Sequence, residues 1–464
     1  MTSLAENPSD PYLSGNFAPV DDELDVADLP VEGELPPGLD GIFVRNGPNP
    51  RFDPIGRYHI FDGDGMLHAM HLGGGRARYV NRWVRTKAFA VEDRLGHAVF
   101  GGLSEFRLPP PEIVAEAGPA RNAANTNVVR HAGRILALWE AGLPYEVTPD
   151  LDTVGEYDFG GDYTGSFSAH PHVDAETGEM FVFGYGPFPP YLRYHVVSPE
   201  GKVVHSTTID IPNPVMIHDF MITERHAVFL DAPAVFDVAG AIEGKPMVRW
   251  APEAGCRVGV MDRYGDGSAI TWHEIEPRYV FHFMNAYEVD GRVHVLAEQA
   301  PDIQIGFGDG DADGQGDFTL WDWTVDLAAG TLTETQLDER RTGFPRVDDR
   351  RTGHRSRHGH ALTFSGPAQA MGEFDTVVRY DLGTMDAETY CFGRGRVTGE
   401  VVFAPDPAGR DDSDGWLCSF VHDATTDTST FEVLDASDIT AGPVATVPLP
   451  RRVPFGFHAA WLPA

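Results

Sequence analysis

Short apolar runs, each set off by a turn containing Gly or a charge, recur along this chain of 464 residues. Representative runs are GRILALWE from Gly133, GEMFVFGYG from Gly178, RHAVFLDAP from Arg225, GRVHVLAEQ from Gly291, HGHALTF from His358 and GWLCSFVHD from Gly415. Each has the length and the β-branched or aromatic content of a strand. Their starts lie about 45 to 67 residues apart, close to the ~40–50 residues of a propeller blade once insertions are allowed. Helical periodicity is scarce. The best candidate, LSEFRLPPPEIVAEAG from Leu103, is broken by three prolines and can supply only a short helix or an irregular cap. The pattern predicts an all-β propeller whose inter-strand loops carry irregular elements over one face.

Composition sharpens this picture. The chain exceeds the roughly 250–300 residues of a single core, and its 51 Gly and 36 Pro are spread along its length rather than pooled in a linker. Residues 1–464 therefore read as one propeller domain, with 1–34 as an N-terminal extension packed on it. A formal net charge of −35 leaves no basic stripe to displace counterions from phosphates, which excludes nucleic acid as a partner. Cys256, Cys391 and Cys418 are far apart, so neither a disulfide framework nor a thiolate zinc site is expected. The first twenty residues lack a signal-peptide pattern, and no run approaches a membrane span. A soluble, cytoplasmic protein is expected, with YGPFPPYLRYH from Tyr185 as the candidate for a tunnel lining or a peripheral membrane contact.

The histidines change the question from fold to chemistry. FSAHPHVDAETGEMFVFGYG carries His170 and His172, VMIHDFMIT carries His218, YVFHFMNAYE carries His282 and PFGFHAAWLP carries His458. Apolar neighbours imply burial, and a buried imidazole needs partners. Any one of these alone reads as a satisfied core histidine. Four in separate units can converge on a propeller axis, where a metal is the natural centre, because imidazole suits Zn, Cu, Fe and Ni.

Together with FVRNGPNPRF from Phe43, HIFDGDGMLHAM from His59, GLPYEVTP from Gly142 and FHFMNAYE from Phe281, these contexts resemble the carotenoid cleavage oxygenase family from about Leu35 to the end. The resemblance implies a seven-bladed β-propeller with a loop and short-helix dome over an axial metal site. It implies a non-haem Fe(2+) held by His170, His218, His282 and His458, with O2 as co-substrate. It does not make His172 a ligand. Four neutral imidazoles on octahedral iron leave two positions open, whereas four on tetrahedral zinc would close the site. The implied reaction is oxidative cleavage of a conjugated C=C bond of a small lipophilic substrate to two carbonyl products.

Ligating imidazoles are usually oriented by carboxylates at their second nitrogen. By motif, Glu140 and Glu400 match two of the family's three such glutamates. At the third position, before FPR, this chain has Gly343, so His282 is expected to be oriented by water or by a neighbouring backbone group. Branches of the family that cleave lignostilbenes or phenylpropenes hold a phenolate with a Lys and a Tyr. Here those positions are Trp139 and Trp83, which offer flat apolar walls instead. That favours a carotenoid or apocarotenoid over a stilbenoid or phenylpropene. A non-catalytic lipophile-binding propeller is the competing class, and Gly343 is the feature that speaks for it. DGDADGQGDFTL from Asp309 to Leu320 resembles a calcium loop in Asp309, Asp311, Asp313, Gly314 and Asp317, but Leu320 stands where the bidentate Glu belongs. It reads as a solvated acidic loop.

Overall fold

The computed structural model describes residues 10–103, 107–303, 318–366 and 373–464, and the Asp309–Asp317 loop lies outside them. The described residues are built almost entirely of antiparallel sheets. All six predicted runs form strands: Arg134–Leu138, Met180–Tyr185, His226–Asp231, Arg292–Ala300, His358–Thr363 and Gly415–Asp423. Each is the second strand from one end of its sheet. Met180 to Gly184 are buried without alternation. Alternation of half-buried and exposed positions marks the outer strands instead, as in Val203–Ile209 and Thr331–Gln336, where one face meets water.

The chain divides into two compact units. The first comprises Met1–Asp158, Ala239–Met247 and Phe392–Ala464, and its described residues form three sheets. In one of them Gly41–Pro48 pairs with Gly65–Gly73 on one side and with the C-terminal strand Ala459–Pro463 on the other, Arg45 opposite Ala459. Phe43, Met70, Tyr79, Phe420, Phe431 and Trp461 join a core shared with the sheet built on Gly415–Asp423. The segment from residue 25 to 33 adds short edge pairings, Asp25 with Val80 and Glu32 with Thr446.

The helices are short. Pro111–Ala117 realises the interrupted pattern after Leu103, with proline in its first turn. Lys87–Leu95 was not anticipated, although its ends carry ordinary signals: Thr86 Oγ1 accepts from the Phe89 N–H, and Gly96 closes the helix at φ 77°, as a left-handed C-terminal glycine does. Among the described residues no helix is long and apolar enough to cross a membrane.

The described residues of the second unit, Phe159–Val238 and Val248–Cys391, form four four-stranded sheets and a two-stranded ribbon. Successive sheets share cores. Phe181, Phe183, Tyr194, Phe220 and Phe229 fill the first, Val258, Phe283, Val295 and Trp323 the next, and Met284, Leu296, Leu320, Val347 and Val378 the third. Burial of large side chains from both facing sheets fixes their stacking, at about 1.5–3 kcal/mol for each fully buried aliphatic or Phe side chain.

Candidate metal centre

Three of the four histidines meet within the second unit. His170 and His218 lie off the strand ladder, each shortly before the first strand of a sheet, His172–Val173 and Met221–Ile222. The flanks of His218 are apolar, as in a strand interior, yet its backbone lies outside the ladder. His282 does lie in a strand, Tyr279–Val289, at a shift of register between Val280 and Phe283. A bulge or an unpaired segment lets a side chain leave the pleat's two faces, which is how irregular strand ends re-aim groups at sites.

The imidazoles approach through their Nε2 atoms, 3.0 Å between His170 and His218 and 3.3 Å between His218 and His282. Aromatic rings wall them in: Phe281 stands edge-on to His218 at 5.3 Å, and Phe344 stacks on His282 at 5.5 Å. Phe344 reaches this place from a left-handed backbone, φ 54°, a conformation that costs a bulky residue about 1–3 kcal/mol and that clusters at functional sites. His172 faces elsewhere. Its Nε2–H donates to Phe220 O at 2.6 Å, with Asp219 Oδ1 at 3.3 Å.

In the first unit, His458 immediately precedes the C-terminal strand and is 6% exposed. Its Nδ1–H donates to Glu400 Oε1 at 3.1 Å, while Glu400 Oε2 accepts from the Ala459 N–H at 2.6 Å. Commitment of Nδ1 as donor leaves the Nε2 lone pair as the ligating position. The Nε2 atoms of His170, His218 and His282 crowd together, and their lone pairs repel one another unless a proton or a cation lies between them. The donor set of His170, His218 and His282 fits a divalent transition metal.

The family model for RPE65, retinal pigment epithelial membrane protein, matches residues 17–463. The chain belongs to the RPE65/carotenoid cleavage oxygenase family. It is 37% identical to the carotenoid 9,10(9',10')-cleavage dioxygenase 1 of Arabidopsis thaliana, over 97% of this chain and 89% of that protein. Its structure is similar to that of a Pseudomonas brassicacearum lignostilbene dioxygenase, with a TM-score of 0.90 and 29% identity over 98% and 99% of the two chains. A Synechocystis apocarotenoid oxygenase variant gives 0.87 and 27% over 96% and 97%. The fold is the all-β, seven-bladed propeller of this family.

Other family positions are less uniform. Glu140 is half-buried just beyond the strand Arg134–Leu138, next to the half-buried Trp139. Trp83 is 5% exposed and packs with Val20, Met66 and Phe89. Its indole N–H donates to Asn49 O at 3.0 Å, and the Arg51 guanidinium covers its ring at 5.0 Å. Gly343 is tightly enclosed: a Cβ there would lie 2.3 Å from Phe374 Cζ, in a ring that is fully buried. Gly343→Ala is therefore expected to destabilise the protein by about 1–3 kcal/mol, the usual cost of overpacking, as read by denaturant unfolding. Unchanged stability would show that Phe374 yields freely.

Two carboxylates near the histidines escaped sequence reasoning. Asp219, 5% exposed, accepts the Phe220 N–H on Oδ1 at 2.8 Å and the Phe283 N–H on Oδ2 at 3.0 Å, tying the segment of His218 to the strand of His282. Glu298, 2% exposed, interrupts the apolar strand Arg292–Ala300. Burial pushes its carboxyl up to about 8, against a smaller opposing effect of the Thr342 hydroxyl. The signal for both was a charge inside an apolar run, which an unaided strand reading passes over.

Proposed function

We propose that this chain is an O2-dependent, non-haem iron(II) oxygenase that splits a conjugated C=C bond of a carotenoid or apocarotenoid. Both atoms of O2 are then accounted for, one in each of two carbonyl products, with no further reductant. The reading is carried by the convergence of three imidazole Nε2 atoms, at 3.0 and 3.3 Å, on one point of the second unit. His170, His218, His282 and His458 are the ligands in this reading. Bound iron(II) would supply activation of O2, a task that no protein side chain performs.

The chain's own residues then have definable tasks. Glu400 holds the His458 ring in the tautomer that presents Nε2, and Glu140 is assigned the same kind of role by motif. Phe281 and Phe344 exclude water from the imidazoles, which favours an apolar alkene over a polar substrate. Trp139 and Trp83 stand where a phenolate would need a cation and a hydroxyl. An indole offers only one N–H donor, and that of Trp83 is already given to Asn49.

The test is a substrate panel with product masses, using 18O2. An apocarotenoid is expected to be cleaved with kcat/KM at least about tenfold above that of 4-hydroxystilbene. A para-hydroxyl should bring a stilbene no benefit, because the charged hydrogen bond it would gain elsewhere, worth about 1.5–3 kcal/mol, has no partner here. The similarity to a lignostilbene dioxygenase supports the alternative substrate class. A repeatable preference for the para-hydroxylated stilbene would favour that class and leave the iron assignment standing. Binding of polyenes without any cleavage in the iron-loaded protein would favour a lipophile carrier.

A further inference from the structure

Glu298 is a buried carboxylate without an evident structural task. Its Oε1 has no hydrogen-bond partner among the described residues, although the side chain is 2% exposed. An unpaired buried oxygen of this kind is costly to keep, and its surroundings point to a use.

Its position relative to His282 is set by strand pairing. Val280 pairs with Gln299 and Phe283 with Ala297, with the register shifting between them, so Phe281 and His282 bulge opposite Glu298. Side chains alternate along the strand of Glu298. Val293, Val295 and Ala297 enter one core, while Leu296 enters the core on the opposite face, with Met284, Leu320 and Val347. Glu298 has the parity of Leu296. His282 turns toward that same face, since its ring stacks on Phe344 of the strand Gly343–Arg346. Thr342, next to that strand, lies beside the Glu298 carboxyl.

Chemistry narrows the role further. His282 presents Nε2 to His218, so Nδ1 is the nitrogen through which a neighbouring group positions the ring. Asp219, the other nearby carboxylate, is committed to the backbone N–H groups of Phe220 and Phe283. Gly343 cannot carry a carboxylate without displacing Phe374. The same chain already shows the arrangement once, in the Glu400 carboxylate that accepts the Nδ1–H of His458.

We propose that Glu298 is the positioning residue for His282, a carboxyl oxygen accepting the Nδ1–H and so directing Nε2 to the metal. The inference rests on His282 being a ligand, as in the function proposed above. It assigns to a side chain of the neighbouring strand the task that Gly343 cannot perform.

The experiment is titration of metal-free protein with Fe(II) under anaerobic conditions, and with Co(II) followed by its visible ligand-field bands. Glu298→Gln and Glu298→Met are each expected to weaken Fe(II) binding about 10–100-fold, the usual loss when a ligand's orienting partner is removed. Both should shift the Co(II) bands. Melting of the metal-free variants should be unchanged or higher, since a buried unpaired oxygen has been removed, and Glu298→Asp should recover part of the affinity. Wild-type Fe(II) affinity in either folded variant overturns the role of Glu298 while leaving the iron reading intact. Failure of the unaltered protein to bind Fe(II) overturns both.

Discussion

His218→Ala and His282→Ala proteins are expected to purify without iron and to lose turnover by at least about 10³-fold, as several kcal/mol of transition-state stabilisation leave with a catalytic metal. His218 is the most sensitive position, because its Nε2 approaches both His170 and His282. Its loss leaves those two imidazoles without the group that links them. The fold should survive, since His218 lies off the strand ladder and the adjoining core of Phe181, Phe183, Tyr194, Phe220 and Phe229 does not include it. Iron content by elemental analysis, read beside circular dichroism, separates the two effects. His170→Ala and His458→Ala belong to the same class. His172→Ala should keep its iron, with a rate within about tenfold of wild type, because its Nε2 is spent on Phe220 O. Full activity in a His218→Ala protein would remove the proposed centre.

Glu400→Ala should weaken iron retention about 10–100-fold and cost about 1–3 kcal/mol of stability. The two losses have separate causes in one side chain. Oε1 fixes the His458 ring through Nδ1–H, and Oε2 satisfies the buried Ala459 N–H at the start of the C-terminal strand. Glu400→Gln is not neutral either. Its amide puts an NH2 donor where one of the two accepting oxygens stood, so one of the two N–H groups then faces a donor. The glutamine variant should therefore keep most of the stability only if its oxygen serves Ala459, and then the imidazole faces a donor and loses its hold. Equilibrium metal binding together with denaturant unfolding measures both quantities. Wild-type values of both in the alanine variant would mean that this contact does not position the ring.

Much of the architecture was legible because strand formation is a local matter. The runs at Arg134, Met180, His226, Arg292, His358 and Gly415 carry their own β-branched and aromatic content and their own turns. Their near-continuous burial was not legible, since it depends on what packs against each strand. The nine-residue helix Lys87–Leu95 is too short to show as a long periodic pattern, although Thr86 and Gly96 mark its ends. In the site, the four histidines and Glu400 stood out through their apolar contexts and the family's motifs. Asp219 and Glu298 did not, because a single acidic residue in a strand usually reaches solvent.

The sequence by itself determined which residue types this protein has to work with: strands at blade-like intervals, four imidazoles in apolar settings, a glycine at 343 and tryptophans at 83 and 139. Only the tertiary structure decided how those groups are aimed. The partners of each imidazole lie 48, 64 and 58 residues away in the chain, far beyond the reach of any local periodicity. Register shifts set the direction of His282 and bring it opposite Glu298. The choice of Nε2 over Nδ1 at His458 follows from a carboxylate on a different strand segment. Hydrophobic pattern reports what a residue is buried among, whereas the direction of a lone pair is fixed by contacts that exist only once the sheets have packed.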